Sequence, residues 1–221
     1  MPTQAWHKAS PGAGLVKRRR AGRFSIVFIS QIIIKYSSNY TPYHNKIMSH
    51  EKKAVYTIGH STHTLPEFIQ ILKAYSINYV VDIRTIPRSL HNPQFNSDTL
   101  EKALKKEDIL YYHFKELGGF RHAKTDSQNM SWHNASFRGY ADYMQTKDFK
   151  HAITILSELA KKYNIVLMCA EAVPWRCHRS LIGDALVARK FEVIDIFSAT
   201  NSKPHKLTPW AQVTGTQVTY P

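Results

Sequence analysis

The chain's only two cysteines, Cys169 and Cys177, lie in the stretch CAEAVPWRCHR together with Glu171, Arg176, His178 and Arg179. A thiol flanked by an imidazole and guanidinium groups is easily held as a thiolate, the form that attacks electrophiles, exchanges disulfides and binds metals. Cys169 and Arg176 have six residues between them, and Cys177 and Arg179 have one. Neither pair has the Cys-x5-Arg spacing of a thiol phosphatase, which argues against that chemistry. Cys169, Cys177 and His178, joined by His60, would make a borderline-soft site for zinc or iron. There is no CxxC or HxxxH, so such ligands would have to converge from separate loops. Cys169 also ends an apolar run, where a cysteine commonly serves as a small core hydrophobe.

Other reactive side chains recur at comparable places. His60 and Ser61 follow Gly59, an arrangement that can present an imidazole as general base or a hydroxyl to a phosphate. Asp82 and Arg84, with one residue between them, point to the same side of an extended chain and suggest a carboxylate–guanidinium pair. Glu171 is the candidate catalytic carboxylate, with a structural Glu–Arg bridge as its rival. Arg121, Trp132, His133, Arg138 and Tyr140 mix cations with aromatic rings, which suits a phosphate or a nucleobase, although a solvated loop with one core Trp has the same composition.

The elements that would position these residues follow from periodicity. Ala54–Ile58, Tyr79–Ile83, Ile109–Phe114, Ile165–Cys169 and Glu192–Phe197 are short apolar or β-branched runs and predict strands. Between them the spacing predicts helices after a Thr64/Glu67 capping box, over Asp98–Lys106, over Phe137–Met144, over Asp148–Tyr163 with Asp148 as cap, and over Arg179–Arg189. Alternating strands and helices predict a single α/β domain, a mainly parallel sheet of about five strands with helices on both faces. In such a sheet ligands bind at the carboxyl ends of the strands, where the residues named above fall. Residues 200–221 show no pattern and are expected to form an irregular tail.

Of a formal net charge of +14, residues 1–47 supply +8, with eight basic side chains and no acid, leaving +6 for residues 48–221. This leader pairs KRRRAGR with the apolar run FSIVFISQIIIKY, which imitates a signal or transit peptide. Gln31 interrupts the run, and it is shorter than the roughly 20 apolar residues a bilayer span needs. The expectation is a disordered leader or a start that belongs at Met48, a 48–199 domain, a cytoplasmic location and no membrane partner. Two cysteines in such a chain are expected to stay reduced.

YTIGHS (56–61), VVDIRTIPRS (80–89), FKELGG (114–119), FRGYADYM (137–144) and LMCAEAVPWRCHRSLIGDAL (167–186) occur in this order and together resemble the bacterial domain-of-unknown-function 488 family. The resemblance implies a compact α/β domain over about residues 54–197, carries no agreed reaction, and points only weakly to nucleic-acid modification. The polar positions it brings forward are His60, Ser61, Asp82, Arg84, Ser89, Arg138, Tyr140, Cys169, Glu171, Cys177, His178 and Arg179. The last strand departs from the family pattern, with Asp195 where a histidine is expected.

Three functions remain open. The first is an enzyme acting on an anionic, nucleotide- or nucleic-acid-related substrate. In it Glu171, Cys177 and His60 do the chemistry, and Ser61, Asp82, Arg84, Arg138, Tyr140, Arg176, His178 and Arg179 bind the substrate. The second is a thiol or metal protein built on Cys169, Cys177, His178 and His60. The third is a non-catalytic nucleic-acid-binding module, whose affinity would fall steeply with salt. The sequence leaves the cofactor unknown, zinc or iron belonging to the second reading alone.

Overall fold

The computed structural model describes residues 54–221, so the leader and the entrance at Met48 lie outside the described residues. Strands β1 (Ala54–Gly59), β2 (Tyr79–Asp82), β3 (Leu110–His113), β4 (Ile165–Cys169), β5 (Glu192–Ser198) and β6 (Asn201–Pro204) form one sheet. Its order is β3-β2-β4-β1-β5-β6. The first five strands run parallel, and β6 pairs antiparallel with β5. The sheet therefore has six strands where five were expected.

Burial explains why the central strands read as unbroken apolar runs. Every residue of β2 and β4 is buried, as in a parallel sheet covered on both faces. Val81, Leu167 and Cys169 face one core, while Ile58, Val80, Val166 and Met168 face the other. Helices α1 (Leu65–Ala74) and α2 (Ser97–Lys105) cover the second face through Phe68, Leu72, Leu100 and Leu104. Helices α3 (Ala135–Met144), α4 (Lys147–Lys162) and α5 (Arg179–Ala188) cover the first through Tyr140, Phe149, Leu156 and Leu181. No helix of the described residues is long and apolar enough to cross a membrane.

Local chemistry sets the helix ends. Thr64 and Glu67 form the expected reciprocal capping box on α1. On α4 the cap is Thr146, whose hydroxyl accepts from the Phe149 amide. Asp148, expected as the cap, stands in the first turn, where its charge opposes the positive helix end.

The segment after residue 200, expected to be irregular, carries β6 and a hairpin of β7 (Gln212–Thr214) and β8 (Gln217–Thr219). It is fastened to the domain by a buried polar network. His205 Nδ1 meets Asp195 Oδ2 and its Nε2 meets Asp184 Oδ1, both at 3.0 Å. The Tyr220 hydroxyl donates to Asp184 Oδ2 at 2.8 Å and the Thr57 hydroxyl to Asp195 Oδ1 at 2.6 Å. Asp195 thus meets an imidazole that arrives from the following segment.

Burial alone would lower the His205 pKa, but the hydrogen bonds and charges of Asp184 and Asp195 outweigh it and raise it from 6.5 to about 9. A group whose folded pKa is raised stabilises the fold fully below its unfolded pKa, and that stability is lost as pH rises through the folded one. Denaturant melts of the protein are expected to lose about 3 kcal/mol between neutral pH and pH about 10 through His205. The His205→Gln variant should lack that step, and an unchanged pH dependence in it would contradict the assignment.

Candidate functional site

The chain leaves β1 and β2 toward α1 and α2 on one face, and leaves β4, which lies between them, toward α5 on the other. Diverging connections open a crevice at the carboxyl ends of neighbouring strands. Here that crevice is a cleft of about 910 Å³. Its floor is drawn tight by backbone pairing that continues past the strands, with the His60 amide donating to Cys169 O at 2.9 Å and the Ser61 amide to Ala170 O at 3.0 Å. Gly59 is required there, since a Cβ would lie 1.7 Å from Glu171 O. Ser61 then takes a left-handed φ of 46° to turn toward α1.

The two cysteines meet at the back of this cleft. Cys169 Sγ, Cys177 Sγ and a His178 ring nitrogen lie within 4.8 Å of one another. Neither cysteine is in a disulfide. Cys177 ends the Pro174–Arg176 turn immediately before α5, and Cys169 ends β4. His178 Nε2 lies 3.2 Å from Ile83 O. A carbonyl only accepts, so Nε2 carries the proton and Nδ1, 3.7 Å from Cys177 Sγ, offers its lone pair to the thiol. Gly119 leaves room for this ring, because a Cβ there would stand 2.5 Å from Nδ1.

The surroundings favour charge on Cys177 alone. The Cys169 S–H hydrogen-bonds to it, and although burial opposes ionisation, the Arg179 charge and amide add to the Cys169 bond and bring the Cys177 pKa from 9.0 down to about 7. Cys169 is the donor of that bond, and its own pKa is pushed well up by the bond and by burial. The Arg179 side chain donates to the carbonyls of Glu171 and Ala172, clamping the loop after β4. Its Nε is buried with no hydrogen-bond partner among the described residues, so the guanidinium retains donor capacity beside the Cys177 sulfur.

A second cluster lies across the cleft. Arg84 donates to Asp82 through Nε at 2.9 Å and Nη2 at 2.5 Å, and through Nη2 to Phe95 O at 2.8 Å. The Tyr111 hydroxyl donates to the same carboxylate at 2.7 Å. His60 Nδ1–H donates to Ser61 O at 3.0 Å, which leaves Nε2 to accept from Arg84 Nη1 at 3.3 Å. Burial first, and Arg84 second, lower the His60 pKa to about 4. The ring stacks on Phe95 with centroids 4.2 Å apart. His60 is therefore a neutral imidazole with both nitrogens engaged, an arrangement that orients Arg84.

Of the residues singled out in the sequence, His60, Ser61, Arg84 and Arg176 line the cleft together with Cys169, Glu171, Cys177 and His178. Asp82 and Arg179 are buried one layer behind, each holding a lining residue or loop. Arg138 and Tyr140 do not line it. Arg138 Nη1 donates to Trp132 O at 3.2 Å, and the fully buried Tyr140 donates from its hydroxyl to Leu117 O at 3.0 Å. Arg121 likewise donates to Gly118 O and Glu116 O and covers the Tyr143 ring. Thr85, Phe120, Asn134 and Phe137 line the cleft without having been singled out. Thr85 and Phe120 follow the exits of β2 and β3, while Asn134 and Phe137 belong to the middle loop and outgoing helix where Trp132, His133 and Arg138 had been singled out instead.

The comparison with family models matches residues 64–186, more than half of the chain, to the domain of unknown function DUF488. The chain belongs to the DUF488 family. The DUF488 match takes in Arg84 and all of Cys169–Arg179, while His60 and Ser61 lie just before it and His205 lies beyond it. No curated protein and no solved structure matches the chain.

Proposed function

We propose that the cleft of this DUF488 protein is the active site of an enzyme acting on an anionic substrate, with Cys177 as the nucleophile. The observation that carries the proposal is the Cys177 sulfur itself, set beside the Cys169 S–H, the His178 Nδ1 lone pair and the Arg179 guanidinium at the back of an open cleft. A nucleophile, a base and a group that orients the base form the general pattern of covalent catalysis. Here the third group is Ile83 O. His178 Nδ1 takes the Cys177 proton, the thiolate electron pair forms a bond to an electrophilic carbon of the substrate, and the leaving group departs with the electrons of the bond that breaks and takes up the proton from Nδ1. Glu171, exposed on the lining, takes a proton from the water that releases the product and restores the thiolate.

Anion binding falls to the remaining arginines. Arg176 is exposed at the lining, with no side-chain partner among the described residues. Arg84 keeps one Nη1 hydrogen beyond those given to Asp82, Phe95 and His60. The sequence pointed to a nucleotide or nucleic acid, and this cleft supports the anionic half of that reading. A non-catalytic binding module would leave the thiol pair without a role.

The test compares two alkylating agents of different charge. Relative to free cysteine, Cys177 should prefer the anionic iodoacetate over neutral iodoacetamide on the order of tenfold at low salt, because a cationic cleft concentrates anions. Arg176→Ala should lower that preference. An inert Cys177 accompanied by stoichiometric zinc or iron would replace this reading with the metal one at Cys169, Cys177 and His178, and a reactive Cys177 without charge preference would remove the anionic substrate.

A further inference from the structure

Outside the cleft lies a second, aromatic cavity of about 560 Å³, within the range of small-ligand pockets. Trp132, Trp175, Phe197 and Trp210 supply its rings, and Lys203 and Lys206 stand on its rim. Trp175 is 64% exposed and Trp210 44%. Exposed tryptophans are costly surface, and two on one cavity mark a binding site. Trp132 stands edge-on to Trp210 at 5.2 Å, and Trp175 and Phe197 are tilted at 6.3 Å. Trp132 Nε1 is buried without a hydrogen-bond partner among the described residues, which leaves a donor open in a residue of the lining.

Two features join this cavity to the cleft. The Pro174–Arg176 turn lines both, with Trp175 in the cavity and Arg176 in the cleft. Trp132 of the cavity also stacks on Phe137 of the cleft at 4.7 Å. An aromatic cage lined by acids would suit a cation, but the acid here, Asp195, is already bonded to His205 and Thr57, and the free charges on the rim are lysines. That combination suits a flat, electron-rich ring that carries negative charge beyond it.

We propose that this cavity is a nucleobase subsite of the same active site, so that the substrate is a nucleotide unit with its base among the tryptophans and its phosphate toward Arg176. The proposal rests on the reading of the cleft as the active site and names its substrate class. Stacking of a base on aromatic side chains contributes about 1–3 kcal/mol, which corresponds to roughly 5- to 150-fold in affinity.

Titration of the full chain, followed by tryptophan fluorescence, tests it. The probes are the four ribonucleoside 5′-monophosphates, ribose 5-phosphate and a short oligodeoxythymidylate. At least one monophosphate, or the oligonucleotide, should quench the fluorescence and bind at least about fivefold more tightly than ribose 5-phosphate. Trp175→Ala and Trp210→Ala, both at exposed positions, should bring it down to the ribose 5-phosphate level. Binding of a monophosphate assigns the site to free nucleotides, and binding of the oligonucleotide alone assigns it to a base within a strand. If every probe binds no better than ribose 5-phosphate, or if both tryptophan variants bind unchanged, the proposal is overturned. Because Cys177 alkylation is read separately on the unmodified protein, a reactive thiolate without base recognition would sink this proposal and leave the active-site reading standing.

Discussion

Asp82→Ala is expected to destabilise the folded protein by about 3–5 kcal/mol, the usual cost of stranding one partner of a buried ion pair. The side chains of Arg84 and Asp82 are 6% and 0% exposed, so solvent cannot take over from the missing carboxylate. Arg84 would lose its bonds from Nε and Nη2 to that carboxylate, and the Tyr111 hydroxyl would lose its acceptor. Asp82→Asn retains the shape and part of the hydrogen bonding, and should cost less. Urea melts of the three proteins give the order wild type, Asn, Ala. The effect should also reach the cleft, because His60 Nε2 and Asp82 together aim the Arg84 guanidinium. Anion preference at Cys177 should therefore fall in the Asn variant even where the protein remains folded. An Asp82→Ala protein as stable as wild type would show that Arg84 does not depend on this partner.

Cys169→Ala is expected to cut Cys177 alkylation at neutral pH on the order of tenfold. The hydrogen bond from Cys169 is the largest of the influences that bring Cys177 from 9.0 down to about 7. Without it the thiolate keeps the Arg179 charge and amide but not its nearest donor, and each unit of upward shift removes about tenfold of the thiolate at a pH below the pKa. Alkylation measured well above pH 9 should differ little between the two proteins, because both are then ionised. A loss of reactivity equal at all pH values would point to a distorted cleft and not to a missing hydrogen bond.

The position of the cleft was legible in the sequence because parallel strands advertise themselves. Runs such as YVVD and IVLMC are apolar on both faces, and the first polar residues after them must emerge at the carboxyl edge. Arg84, Glu171 and His60 stand at the cleft for that reason, and Cys177 follows at the entrance to α5. Polarity at the edge could not separate lining residues from those one layer behind, since Asp82 and Arg179 differ from their neighbours only in burial. Arg138 and Tyr140 show the limit of reasoning from residue type. Both have suitable chemistry, yet α3 turns them toward the Trp132 carbonyl and the Leu117 carbonyl. His60 shows another limit, because burial first and then Arg84, which comes from a different strand exit, keep the imidazole neutral, and Arg84 and Ser61 O engage both its nitrogens.

The tail was illegible for a related reason. Strand β6 reads NSKP and is exposed along its length, so it lacks the alternation that betrays a half-buried strand. The segment is fixed by Val218 and Tyr220, buried in the main core, and by long-range polar contacts from His205 to Asp184 and Asp195 and from Tyr220 to Asp184, and no local pattern encodes these. The aromatic cavity was hidden in the same way. Trp132, Trp175 and Trp210 are scattered along the chain and are gathered by the turn before α5 and by the segment after β6.

The pH dependence of iodoacetamide alkylation, resolved between the two cysteines by mass spectrometry, reports most directly whether Cys177 is a nucleophilic thiolate at neutral pH. Cys177 should titrate with a midpoint of about 7, while Cys169 stays unmodified through the same range. Two thiols reacting together with midpoints near that of free cysteine, or a Cys177 that stays inert at every pH, would contradict a nucleophilic thiolate there.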